Sequence, residues 1–132
     1  VIVDDGSHVN WHQIFSFEHL FVEALQPGGV YIIEDLQTSF HKRWEGGLER
    51  QAQHRTGVTM ITDMMTALHF HWWNHPRYNS EVEENTYGQD VPINFKVNEN
   101  IMEWVQTIDC DRELCAIRKR TSKLKRRKVR AM

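Results

Sequence analysis

The sequence predicts an α/β fold, namely the C-terminal half of a doubly wound sheet with the element order β-α-β-α-β-β and a closing antiparallel hairpin. Three observations support this fold class. Two short apolar runs rich in β-branched residues are separated by one stretch of helical periodicity. A second helical stretch follows them. Close to the end, two more apolar runs flank a short polar turn, which is typical of a hairpin.

The two predicted parallel strands are short and apolar. Val1–Val3 ends at the acidic turn Asp4-Asp5-Gly6, and Val30–Ile33 ends at Glu34-Asp35. Continuous apolar runs of this kind indicate strands that are buried on both faces. A strand-helix-strand unit of about 35 residues is normally a right-handed crossover between parallel strands. Since the chain opens on a valine inside such a strand, we expect it to be part of a longer domain.

The connection between these strands reads as a helix. Asn10 followed by Gln13 resembles a capping box and predicts the start of the helix. Apolar residues then recur at helical spacing up to Leu25, and Pro27-Gly28-Gly29 predicts the end.

The remaining elements follow in order. Residues 37–56 are polar and rich in Gly, Arg and His, which predicts a long loop, and Val58 to Trp73 has the periodicity of a second helix. Residues 74–98 form an irregular polar stretch. Ile101–Ile108 and Leu114–Ile117 predict two antiparallel strands joined by a tight turn.

Charge divides the chain into two regions. Residues 1–117 carry 18 acids and 7 bases and contain all the predicted strands and helices, whereas residues 118–132 carry 9 bases and no acid. We interpret residues 118–132 as a basic, flexible, solvated tail. Contact with nucleic acid or an anionic membrane, or a targeting signal, are the alternatives.

Cysteine content and hydropathy bear on location. Cys110 and Cys115 flank the predicted hairpin turn, and we expect two reduced thiols in a cytoplasmic protein, with a disulfide as the alternative. There is no apolar run of the roughly 20 residues that span a bilayer, and no signal peptide is visible.

Acidic residues follow both predicted parallel strands. Ligands of open α/β sheets bind beyond the carboxyl ends of the strands, so Asp5 can converge with Glu34 and Asp35. Three neighbouring carboxylates repel one another unless a proton or a cation is shared, and their oxygens suit Mg²⁺, Mn²⁺ or Ca²⁺. His8 lies in the same turn and is a candidate general base. The alternative is that these acids only cap helices or turns.

Three segments carry a family resemblance. Asp4–Asn10, Ser16–Glu18 and Pro27–Ser39, with the motifs DDGSH and IED, resemble bacterial class I sugar O-methyltransferases of the mycinamicin VI and demethylmacrocin type. The resemblance is dense over residues 1–40. The ending Val105–Ile108 and Leu114–Ile117 is similar to the terminal hairpin of class I methyltransferases in general. The fold that this implies is Rossmann-like, with residues 1–117 expected to be the C-terminal portion of a class I methyltransferase domain whose N-terminal cofactor-binding half is missing.

The resemblance implies site residues and cofactors. It makes Asp5, Glu34 and Asp35 the ligands of Mg²⁺ (or Mn²⁺) and His8 the base that deprotonates a sugar or small-molecule hydroxyl. The methyl donor would be S-adenosylmethionine. The sequence lacks the Gly-rich turn that holds most of such a cofactor, so only the backbone of Asp4, Asp5 and Gly6 is expected to contact it, and this chain alone is expected to be inactive.

Other functions and partners remain open at this point. A metal-using enzyme of another reaction class on the same fold, such as a hydroxylase, is one alternative. A non-catalytic half-domain whose basic tail binds RNA or another partner is the second. Trp44, Tyr78 and Tyr87 are candidates for an acceptor pocket, although packing is the commoner role of aromatic residues. Nucleic acid is not expected as a partner, and a homo-oligomer is compatible with the sequence.

Overall fold

The computed structural model describes residues 1–73 and 98–124, without the side chains of residues 70–73 and 99. The irregular stretch predicted from residue 74 lies outside the described residues except for Asn98. So do Tyr78, Tyr87 and the basic tail from residue 125 onward. None of the helices among the described residues is long and apolar enough to cross a bilayer.

One four-stranded sheet organises the described residues, in the order β1-β2-β4-β3. The strands are β1 (Ile2–Asp4), β2 (Val30–Ile33), β3 (Val105–Asp111) and β4 (Leu114–Lys119). The helices are α1 (Asn10–Glu23), α2 (Leu48–Ala52), α3 (Gly57–Trp73) and α4 (Glu99–Met102), with 3₁₀ turns at Leu36–Phe40 and Lys42–Trp44. β1 and β2 are parallel, and β4 is antiparallel to both of its neighbours. The predicted α/β fold with a closing hairpin is confirmed.

The core lies between the sheet and the helices. Phe17 and Phe21 of α1 are fully buried, and the ring of Phe17 packs edge-on against Tyr31 of β2 with 5.2 Å between ring centroids. Met60 and Met64 of α3 complete this layer. Burial of one such side chain contributes roughly 1.5–3 kcal/mol, so these contacts fix α1 and α3 relative to the sheet.

The predicted capping box at Asn10 and Gln13 is wrong, although the start of the helix is right. The N-cap residue is Val9, and no side chain caps the helix. Asn10 is completely buried and its amide binds groups far along the chain, as described below. The Asn10 side chain therefore makes hydrogen bonds to distant residues and does not cap the helix.

The segment 37–56 is not one long loop. It contains the two 3₁₀ turns and α2. Side-chain amides satisfy its backbone carbonyls: Gln51 Nε2 donates to Ser39 O at 3.0 Å and Asn10 Nδ2 to Trp44 O at 3.0 Å. Buried backbone groups need such partners, and these partners hold the segment in one conformation.

The strand predicted at Ile101–Ile108 starts too early. The Asn98 side-chain oxygen accepts from the Asn100 amide, and its carbonyl accepts from the amides of Ile101 and Met102, which begins the short helix α4. Ile101 and Met102 then enter the core from that helix. β3 starts only at Val105.

The hairpin corrects two further expectations. Cys110 and Cys115 face each other across β3 and β4 and form a disulfide, so the expectation of two thiols is wrong for this structure. β4 also extends to Lys119, two residues beyond the boundary drawn at 117 on charge. Lys119 is buried and donates to the carbonyls of Val22 and Leu25 near the end of α1, at 2.9 and 2.7 Å.

Candidate functional site

The candidate site lies at the carboxyl ends of β1 and β2. The Glu34 amide donates to Asp4 O at 3.1 Å, which extends the parallel ladder past β2 and holds the two strand ends together. Asp5 follows β1 directly and Asp35 follows β2 after one residue. The acidic residues predicted at this edge of the sheet therefore follow two adjacent strand ends.

Three of the predicted site residues come together. One ligand atom each of Asp5, His8 and Asp35 lies within 4.8 Å of the other two, and among residues 1–73 and 98–124 this is the one such group that includes at least three His, Cys, Asp or Glu residues. His8 Nε2 is 3.7 Å from Asp35 Oδ2. The two side chains are 39% and 29% exposed, so a ligand can reach them from solvent.

Asp35 is held in an uncommon backbone conformation. Its φ of 56° lies in the left-handed region, which costs a non-glycine residue roughly 1–2 kcal/mol. Its carbonyl accepts from the amide and the hydroxyl of Thr38 at 3.1 and 2.8 Å, and Gln37 Nε2 donates to its carboxylate at 3.0 Å. Strain of this kind is typical of functional sites.

His8 is supported by an aromatic neighbour. Its ring packs on Trp44 with 5.1 Å between ring centroids. The carbonyl of Trp44 accepts from the buried amide of Asn10, so the core of the protein positions the ring that orients His8. The residues of the proposed acceptor pocket other than Trp44 lie outside the described residues.

Glu34 and Asp4 are placed differently from the three grouped residues. Glu34 is not part of the group, and its backbone carbonyl accepts from Gln13 Nε2 at 3.2 Å. The Asp4 carboxylate accepts from the buried Tyr31 hydroxyl at 2.7 Å and, at 3.4 Å, from the Gly6 amide. Burial, and next the hydrogen bond to the Asp4 carboxylate, raise the pKa of Tyr31 far above its usual range.

A second polar pair was missed by the sequence interpretation, which treated His54 as a loop residue. His54 Nδ1 is 2.9 Å from each carboxylate oxygen of the buried Asp63. The pair lines a cleft of about 470 Å³ that also contains Trp11 and Arg50. Asp63 lies on the apolar side of α3. A buried acid needs a hydrogen-bonding partner, so its position in the helical pattern was the signal that could have predicted such a pair.

Comparison with known proteins identifies similar sequences. No family model matches the chain. It is 37% identical over 76 residues to the 8-demethyl-8-(2-methoxy-alpha-L-rhamnosyl)-tetracenomycin-C 3'-O-methyltransferase of Streptomyces olivaceus, which covers 58% of this chain and 19% of the relative. It is 34% identical over 68 residues to the mycinamicin VI 2''-O-methyltransferase of Micromonospora griseorubida, which covers 52% of this chain and 17% of the relative.

The chain resembles one segment of the sugar O-methyltransferases. A solved structure of the MycE methyltransferase of mycinamycin biosynthesis, in complex with Mg, SAH and mycinamycin VI, matches 89% of this chain and 25% of its own with a TM-score of 0.63 and 22% identity. The described residues thus share the fold of one part of that structure, which agrees with the predicted portion of a Rossmann-like sheet. The matched segment spans about a fifth of the length of the curated relatives.

Proposed function

We propose that this chain is part of an S-adenosylmethionine-dependent, divalent-metal-assisted O-methyltransferase that acts on a hydroxyl of a sugar or a similar small acceptor. The observation that carries the proposal is the grouping of Asp5, His8 and Asp35 at the carboxyl ends of two parallel strands. The similarity to several sugar O-methyltransferases supports the reaction class and the type of acceptor.

The donor set fits a hard divalent cation. Asp5 and Asp35 offer carboxylate oxygens a few ångströms apart, and their exposure leaves space for water or acceptor oxygens. Mg²⁺ typically binds through one or two carboxylates and retains several waters, so the two aspartates are sufficient. We propose Glu34 as a third ligand because it precedes Asp35 directly. A bound Mg²⁺ or Mn²⁺ would orient the acceptor and lower the pKa of its hydroxyl.

His8 is proposed as the base. Its Nε2 faces the Asp35 carboxylate, which stabilises the imidazolium that forms when the ring takes a proton. S-adenosylmethionine would supply the methyl group: the acceptor oxygen would bond to the methyl carbon while the carbon–sulfur bond breaks and S-adenosylhomocysteine leaves. His8 would take the hydroxyl proton. Trp44 restricts the orientation of the ring during this transfer.

The share of this chain in cofactor binding is small. We propose that the backbone of Asp4, Asp5 and Gly6 contacts S-adenosylmethionine. In Rossmann-like domains, a Gly-rich turn between a strand and the following helix supplies most of the contacts to the cofactor. This sequence has no Gly-rich turn at such a position. Methyl transfer is therefore proposed for a longer protein that contains this chain.

The partners and location are proposed on chemistry alone. A small acceptor and a cytoplasmic site of action fit a biosynthetic methyl transfer, and nucleic acid has no part in it. In a reducing compartment Cys110 and Cys115 would be present as thiols rather than as the disulfide of this structure.

The test replaces Asp35 with alanine in the longer protein and measures Mn²⁺ binding by electron paramagnetic resonance together with methyl transfer. We expect loss of both, because the Asp35 carboxylate is proposed to bind the metal and also to stabilise the His8 imidazolium. Asp109→Ala, at an exposed acid of β3, is the matched control and should retain both. Undiminished transfer in Asp35→Ala, or full activity in excess chelator, would contradict the metal assignment.

A further inference from the structure

The β3–β4 hairpin turn contacts the candidate site through one backbone hydrogen bond. The Leu36 amide donates to Glu113 O at 2.8 Å. Leu36 directly follows Asp35, and Glu113 lies in the two-residue turn between β3 and β4. A segment 77 residues further along the chain thus binds the peptide unit that carries the Asp35 carbonyl.

That peptide unit is held from both sides. Its carbonyl oxygen, on Asp35, accepts from Thr38, and its N–H, on Leu36, donates to Glu113. Fixing both groups fixes the plane of the peptide and hence ψ of Asp35. Because Asp35 is in the left-handed region, release of either group would favour its return to a more ordinary conformation, which turns the side chain away from His8.

The turn itself is closed by the disulfide. Cys110 and Cys115 are paired directly across β3 and β4. The next pair, Asp111 and Leu114, flanks the turn. Cys115 is also paired with Ile33 at the end of β2. An apolar cavity of about 350 Å³ lies beside the disulfide, with Leu36 among its lining residues. It leaves the turn space to move once the cross-link is absent.

We propose that Glu113 is a positioning residue for Asp35: its carbonyl, held in place by the Cys110–Cys115 disulfide, keeps Asp35 in the geometry of the candidate site. The backbone is what acts, since the Glu113 side chain takes no part. The thiol form, which a reducing compartment would favour, then holds the site less firmly than the disulfide form, so the site geometry is sensitive to the redox state of the hairpin. The inference rests on the proposed function for its consequence, but the geometric part stands on the hydrogen bonds alone.

The first test compares the oxidised protein with the same protein in a phosphine reductant. Hydrogen exchange of the Leu36 amide is followed by NMR, and Mn²⁺ affinity by electron paramagnetic resonance. We expect reduction to speed Leu36 exchange about tenfold, and to weaken Mn²⁺ binding about tenfold, as loss of outer supporting contacts does in other metal sites. The control is the Cys110→Ser, Cys115→Ser double variant, which should behave as the reduced protein and ignore the reductant.

The second test changes the turn without touching the cysteines. Glu113 has a φ of 63°, which proline cannot adopt and asparagine tolerates. Glu113→Pro should expose the Leu36 amide and weaken Mn²⁺ binding in the oxidised protein, whereas Glu113→Asn should retain both properties of the wild type. If the proline variant does not fold, the redox comparison on the unaltered sequence still decides.

The outcomes separate this inference from the proposed function. Unchanged Leu36 exchange on reduction overturns the part played by the disulfide, and unchanged exchange in Glu113→Pro overturns the positioning role. Faster exchange with unchanged Mn²⁺ affinity overturns the link between the hairpin and the site. If Mn²⁺ binds neither form, the metal site itself is refuted. The exchange of Leu36 and the backbone chemical shifts of Asp35 then still report whether the hairpin holds that residue.

Discussion

Asn10 is the residue whose loss we expect to be most costly among the buried polar groups. Its amide nitrogen donates to Thr38 O and Trp44 O at 3.2 and 3.0 Å, and its oxygen accepts from Ser39 Oγ and the Gly57 amide at 3.0 and 2.8 Å. One fully buried side chain therefore connects α1, both 3₁₀ turns and the start of α3. The perturbation is Asn10→Ala.

The magnitude follows from which groups lose their partners. Ser39 Oγ still accepts from Val58, and Thr38 O still accepts from His41. The Gly57 amide is in the first turn of α3, where no intrahelical acceptor exists, and the Trp44 carbonyl also loses its side-chain donor. A buried polar group left unpaired costs about 1–3 kcal/mol. Two such groups give a loss of roughly 3 kcal/mol, or about 10 °C in Tm.

Urea denaturation followed by circular dichroism measures the free energy of unfolding of Asn10→Ala against the wild type. Gln26→Ala, at an exposed amide after α1, is the control and should change stability by no more than about 0.5 kcal/mol. A loss for Asn10→Ala as small as that of the control would refute the reasoning. It would mean that water or local rearrangement satisfies the four contacts.

Three more variants test other parts of the packing. Gly46→Ala should cost about 2–3 kcal/mol in urea denaturation, because a Cβ there would lie 2.5 Å from the Thr38 carbonyl oxygen; wild-type stability would show that the turn can shift. Lys119→Met removes an ammonium that donates to two carbonyls near the end of α1 and should cost about 2 kcal/mol, and Tm unchanged within error would contradict this. Burial and the Asp4 carboxylate raise the pKa of Tyr31, so its stabilising effect is present below pH 10, where the unfolded tyrosine titrates, and declines above it. The free energy of unfolding should fall by up to about 1.4 kcal/mol per pH unit above pH 10 relative to Tyr31→Phe, and equal slopes for the two proteins would exclude this linkage.

The parallel unit could be predicted from the sequence because its signals are local. Val30–Ile33 was predicted with its observed bounds, and α1 starts at the predicted Asn10. Apolar runs and helical spacing report burial directly, and Pro27-Gly28-Gly29 limits how far the helix can extend. The helix ends at Glu23, two residues before the predicted Leu25. The position of Asp5 and Asp35 at one edge of the sheet follows from the same topology.

The rest depends on contacts between distant residues. Asn10 looks like a capping residue locally, but its hydrogen bonds go to distant residues, of which Gly57 is 47 positions away. The disulfide depends on the register of β3 and β4, which the spacing of Cys110 and Cys115 permits but does not require. Topology places both Glu34 and Asp35 at the same edge of the sheet but does not show which of them groups with Asp5 and His8. That depends on the left-handed backbone conformation of Asp35, which the sequence pattern does not reveal.

His8 and Asp35, two of the three grouped residues of the candidate site, are each positioned by a residue outside the motif that suggested them. His8 packs on Trp44, which Asn10 holds, and Asp35 is fixed through Leu36 by the Glu113 carbonyl. Both supports come from parts of the chain beyond residue 40, outside the DDGSH and IED motifs. The DDGSH and IED motifs therefore define which groups are available for chemistry, whereas their distance and orientation are set by the packing of segments that carry no recognisable motif. A relative that retains both motifs but lacks an equivalent hairpin contact would need another way to hold its second aspartate in the left-handed region.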